Sequence, residues 1–82
     1  MPKPRTETGG KNLIGPRFKI LRENKTWSQW DLAHQFQLIG IDIDKNVITR
    51  IETNKRYVTD FEIRAIAKLF GVSYQYLIDG EE

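Results

Sequence analysis

The sequence predicts an all-α fold, a compact bundle of five short helices. Three observations point there. Apolar residues recur at three- and four-residue spacing from about Asn12 onward, the period of a helix with one buried face. Helix-start residues stand at Ser28, Asp44, Thr59 and Ser73, and helix stops follow at Gly40, Asn54 and Gly71. No segment alternates long enough to make a strand. The chain has 82 residues and a mass of 9.6 kDa, room for one core. It has no Cys and one His, so neither disulfides nor a zinc site can staple it. The core has to come from packed helices, helped by oligomerisation.

Residues 1–11 hold two prolines and two glycines and no large apolar residue after Met1, and are expected to form a flexible basic arm. The domain proper is expected over 12–80. Pro16 suits the start of the first helix, where a missing N–H costs nothing. Ile14, Phe18 and Leu21 mark its inner face, with Ile20 beside them. The second helix opens with the capping box Ser28-x-x-Asp31, and Trp27 can staple onto Leu32. Leu32, Ala33, Phe36 and Ile39 give its apolar face, and Gly40 ends it. Ile41 to Ile43 read as a linker. Asp44 caps the third helix, with Val47, Ile48 and Ile51 inward. Thr59-x-x-Glu62 is a second capping box. Ile63, Ile66, Ala67 and Phe70 follow at i, i+3, i+4 and i+7, the strongest amphipathic signature in the chain. A short last helix carries Tyr76 and Leu77 and ends in an acidic tail.

The net charge of +2 conceals a segregated pattern. Residues 1–25 carry +5, residues 26–44 carry −3, residues 45–58 carry +3 and residues 59–82 carry −3. Two positive blocks make one basic face if the fold unites them, and that suits a polyanion. The third helix sharpens the point. A wheel places Asn46, Thr49 and Thr53 on its outer side, flanked by Lys45 and Arg50, with no exposed carboxylate among them. Arg and Lys can reach guanine O6 and N7, Asn can pair with adenine, and Thr can touch a thymine methyl.

Four segments in order carry a resemblance: Ile14-Gly15-x-Arg17-Phe18-x-x-Leu21-Arg22, Ser28-Gln29-x-x-Leu32-Ala33, Ile48-Thr49-Arg50-Ile51-Glu52, and Ile66-Ala67-Lys68-x-Phe70-Gly71-Val72-Ser73. Together they resemble the Cro/lambda-repressor-type (XRE) helix-turn-helix family, from about Asn12 to Asp79. The resemblance implies a five-helix domain that regulates transcription, a repressor acting as a homodimer on a double-stranded DNA operator, with the third helix in the major groove. It places base-reading on Lys45, Asn46, Thr49 and Arg50, the face selected independently by the wheel. It places phosphate binding on Gln29, Lys55 and Arg56, and a structural ion pair on Arg22 and Glu52.

Three departures from the family pattern stand out. The connection from Ala33 to Ile43 is five residues longer than usual, read as one more turn of the second helix. Thr53-Asn54 replaces the usual Asn-Gly, and Asn tolerates the left-handed stop. Asp44 sets a carboxylate near the expected DNA surface, where its work is to cap the helix.

Trp30 has two readings: packing against an end of the extended helix, or a contact with a protein partner or a sugar-phosphate backbone. Tyr76 and Leu77 are candidates for a dimer seam. His34 reads as a surface residue. The alternative to a DNA-binding regulator is an adaptor, such as an antitoxin or anti-regulator, that keeps the fold but binds a protein partner through Trp30 or the C-terminal helix. An enzyme is not expected, since no nucleophile–base pair, phosphate-binding glycine loop or metal constellation is present. No cofactor or metal is implied. No apolar run approaches a membrane span and no secretory signal is seen, so the cytoplasm is the expected location.

Overall fold

The computed structural model describes residues 9–81, so most of the expected basic arm, residues 1–8, lies outside the described residues. Five helices follow one another: α1 (Gly15–Asn24), α2 (Gln29–Leu38), α3 (Lys45–Glu52), α4 (Asp60–Phe70) and α5 (Tyr74–Asp79). No strand occurs among the described residues.

Local chemistry sets the helix starts. The Ser28 hydroxyl accepts from the Asp31 N–H at 3.0 Å, and the Asp31 carboxylate accepts from the Ser28 N–H at 2.8 Å. These bonds from Ser28, the backbone one first, lower the Asp31 pKa. Thr59 and Glu62 make the same reciprocal pair at α4. Asp44 Oδ1 accepts from the Val47 N–H at 2.9 Å, and Ser73 Oγ from the Tyr76 N–H at 3.0 Å. Each cap satisfies a donor that the first turn leaves without an intrahelical partner, typically worth about 1 kcal/mol. Asn54 and Gly71 stop α3 and α4 at φ of +61° and +66°.

The core is aromatic at its centre. Phe18 lies 6.3 Å from Phe36 and 6.2 Å, edge-on, from Phe70, and Trp27 packs 5.9 Å from Phe70 (ring centroids). Ile14, Leu32, Ile48, Ile51, Ile66 and Leu77 close around them. Burial of one such side chain contributes about 1.5–3 kcal/mol. The first helix begins at Gly15 with Pro16 in its first turn, as expected. Side-chain burial refines the reading at several positions. Ile39, expected on the apolar face of the second helix, is 47% exposed, because it is the C-cap beyond the last turn of α2, and Ile20, beside the inner face of α1, is 49% exposed. Leu77 is fully buried, so it belongs to the core and not to a surface seam. Ile43 lies in the linker, as expected, but is only 3% exposed. The extended connection runs out through Leu38, Ile39 and Gly40 and drops Ile43 back into the core immediately before α3.

Asn12 ties the start of α1 to the end of α3. Its Oδ1 accepts from the Gly15 N–H at 2.9 Å, while its Nδ2 donates to the carbonyls of Ile51 (3.2 Å) and Arg56 (2.8 Å). Asn54 Nδ2 donates back to Asn12 Oδ1 at 2.9 Å. The two backbones meet so closely that a Cβ at Gly15 would stand 2.5 Å from the Ile51 carbonyl oxygen. Gly15→Ala should therefore cost about 1–2 kcal/mol through overpacking, although alanine is the better helix former. Equilibrium denaturation checks this; a variant as stable as the parent would mean that α1 and α3 do not meet this closely.

Candidate nucleic-acid interface

α3 presents two unlike sides. Ile48 and Ile51 are fully buried, whereas Asn46, Arg50 and Thr53 are exposed. Asn46 and Arg50 are one turn apart and share the outer face. Lys55, just beyond the helix, is exposed as well. Thr49 differs from its wheel position at the centre of that face. It is half-buried, and its hydroxyl lies 3.0 Å from both Gln29 Oε1 and the Lys45 carbonyl. The cause is α2, whose first turn packs along the Lys45–Thr49–Glu52 side of α3. With one proton, the hydroxyl serves one of these acceptors at a time. What Thr49 keeps for a ligand is its methyl group and its lone pairs.

A polar network fixes this junction. Arg22 Nε donates to Glu52 Oε2 at 2.6 Å and Nη2 donates to Oε1 at 3.2 Å, with side-chain exposures of 11% and 4%. Hydrogen bonding to Glu52 raises the Arg22 pKa still further, more than burial lowers it. Arg22 Nη1 also holds the Trp27 carbonyl at 2.8 Å. Gln29 Nε2 donates to Glu52 Oε1 at 3.0 Å. The chain Arg22–Glu52–Gln29–Thr49 thus links α1, α3 and the first turn of α2. Gln29 keeps a second amide N–H, beside the backbone N–H groups of Gln29 and Trp30 that the first turn cannot satisfy internally.

Sequence reasoning missed several partners. Arg56, expected to bind phosphate, instead grips Glu62 through two bonds of 3.0 and 3.1 Å and donates to the Tyr57 carbonyl. Its side chain is 28% exposed, so most of its guanidinium is committed to the fold. The signal was present in Glu62, a capping-box carboxylate six residues after an arginine. Burial pushes the Glu62 carboxyl up, but bonds from Arg56 and the Thr59 N–H outweigh it and hold the carboxyl below its ordinary 4.5. A depressed folded-state pKa gives stability that is present above the unfolded value and lost as pH falls through the folded one. Wild type should therefore lose stability relative to Glu62→Gln as pH drops below about 4.5, measured by denaturation at neutral and acid pH. A constant difference would show that the carboxylate is not selectively stabilised by folding. Arg17 donates to the carbonyls of Leu77 (3.0 Å) and Ile78 (2.7 Å), closing the end of α5. The Lys11 N–H donates to the Asn54 carbonyl at 2.9 Å, so the end of the arm lies against the loop after α3.

No group of His, Asp or Glu among the described residues is arranged to hold a metal ion, and no helix is long and apolar enough to cross a membrane. What the geometry offers is a donor-rich helix, braced by a second helix and exposed along one side. The sequence pattern of the helix-turn-helix domain matches residues 15–82. The chain belongs to the helix-turn-helix domain family. In this domain α2 and α3 are the paired helices, joined by the extended connection through Gly40 and Ile43. The fold is similar to the crystal structure of a hypothetical transcription factor, NHTF, from Neisseria, with a TM-score of 0.68 and 23% identity, covering 95% of this chain and 85% of that one. That likeness is one of fold. A comparison with curated proteins gives no match. The helix-turn-helix is a DNA-binding architecture in which the second helix of the pair is the one that enters the major groove.

Proposed function

We propose that this helix-turn-helix protein is a sequence-specific double-stranded DNA-binding regulator of transcription, a repressor that works in the cytoplasm as a homodimer and reads the major groove with α3. The observation that carries the reading is the outer face of α3, where Asn46 and Arg50 stand exposed with Lys45 at the first turn and no carboxylate between them. Lys45, Asn46, Thr49 and Arg50 read bases in this account. Gln29, with the open amides of the first turn of α2, and Lys55 contact phosphates on either side. Arg56 contributes positive potential rather than a free clamp.

A self-complementary face supports the homodimer. Phe61 and Tyr74 are 64% and 54% exposed and border a groove of about 470 Å³ between α4 and α5. Asp60 and Arg64 line the same groove, one turn apart. This placement suits an isologous dimer in which each Asp60 would meet Arg64 of a second copy across a two-fold axis.

Binding to duplex DNA should weaken steeply with salt, because phosphate contacts release condensed counterions. Lys55→Ala should weaken all sequences about equally and lower the log–log salt slope by roughly one. Anisotropy titrations across a salt series measure both. An affinity that does not change with salt would favour a protein-partner adaptor over a DNA-binding regulator.

A further inference from the structure

Trp30 is 69% exposed, the most exposed large apolar side chain among the described residues, and it stands in the first turn of α2. A side chain of this size gains nothing from such exposure, and folding does not use it: the ring is absent from the core, where Trp27 packs instead. It does have one neighbour of consequence. The Lys45 ammonium lies 5.7 Å from the Trp30 ring centroid, within cation–π range. No carboxylate among the described residues pairs with Lys45. Asp44, next to it in sequence, is turned to the Val47 N–H, and Asp42 makes no ion pair.

Lysine is a flexible point charge and a poor reader of one base unless something holds it. An aromatic face supplies that hold without neutralising the charge. We infer that Trp30 is a positioning residue for Lys45: its ring fixes the lysine at the first turn of α3 so that the ammonium addresses one base pair rather than sampling several phosphates. The inference rests on the DNA-reading function proposed above and deepens it. The residue pair also spans α2 and α3, so the extended connection between these helices leaves their N-terminal turns in register. Gln29, the neighbour of Trp30, bonds to Thr49 one turn after Lys45. Two adjacent residues of α2 thus hold two successive residues of the α3 reading side.

The test compares wild type, Trp30→Phe and Trp30→Leu on duplexes carrying every single-base change in a selected operator. Leucine keeps the apolar bulk and loses the ring; phenylalanine keeps a ring. Trp30→Leu should lose roughly two- to five-fold in discrimination at one base pair per half-site, the scale of an exposed cation–π contact. Trp30→Phe should retain most of it, and Lys45→Ala should lose preference at the same base pair, with no further loss in the Trp30→Leu/Lys45→Ala double variant. DNA should quench or shift tryptophan emission in wild type but not in Trp30→Phe, while thermal melting of the free variants should stay close to wild type. A base-preference profile identical in wild type and Trp30→Leu overturns the inference. So does an equal loss at all positions, which would make Trp30 a backbone contact of its own. A wild type with no base preference at any position overturns the DNA-reading function as well, which separates the two failures.

Discussion

Glu52→Ala should destabilise the domain by about 3 kcal/mol, because it leaves the Arg22 guanidinium half-enclosed without its anion. Glu52 is 4% exposed through its side chain and accepts three bonds, two from Arg22 and one from Gln29. Removing it costs the pair and also frees Gln29, which braces Thr49. Arg22→Ala should cost a similar amount, because it strands the Glu52 carboxylate without its cation. The double variant should cost clearly less than the two single variants combined, with a coupling of about 1–3 kcal/mol. Chemical denaturation of the four proteins gives the cycle. Additivity within about 0.3–0.5 kcal/mol would mean that Arg22 and Glu52 are neighbours rather than partners. Freeing Gln29 should also weaken DNA binding in any Glu52→Ala protein that remains folded.

Arg50→Ala should leave the fold intact and cost about 1–3 kcal/mol on the preferred operator, the worth of one bidentate guanine contact. Arg50 is exposed and its side chain makes no bond within the described residues, unlike Arg22, Arg17 and Arg56. Its guanidinium is therefore the arginine of α3 that a base edge can claim. The loss should fall on one base pair per half-site, with non-specific duplex changing far less. A uniform loss on all sequences would assign Arg50 to phosphate.

The bundle was legible in the sequence because its signals are local. Two capping boxes, the Asp44 and Ser73 caps and the Asn54 and Gly71 stops depend on neighbours three or four residues away. The residues that fold back over long distances were not legible. Asn12 meets Ile51 and Arg56, and Arg17 meets Leu77 and Ile78; no periodicity connects such pairs. The wheel found the outer face of α3 but could not know that α2 would lie along its Thr49 side. The linker reading of Ile41 to Ile43 holds, but so short a segment gives no period that would show Ile43 to be buried. Arg56 looked like a free cation because a carboxylate's partner cannot be read from charge alone. Arg22 and Glu52 were legible by resemblance, and the structure places their atoms in direct contact.

Selection from random duplexes, run in parallel with wild type and Arg50→Ala, tests most directly that α3 reads base sequence. Wild type should enrich a palindrome whose half-site centres lie about 10 bp apart, one helical turn, as one α3 per half-site demands. Arg50→Ala should enrich the same palindrome with one position per half-site relaxed. Wild type that enriches no motif, at a salt concentration where it still binds DNA, would contradict direct readout by α3.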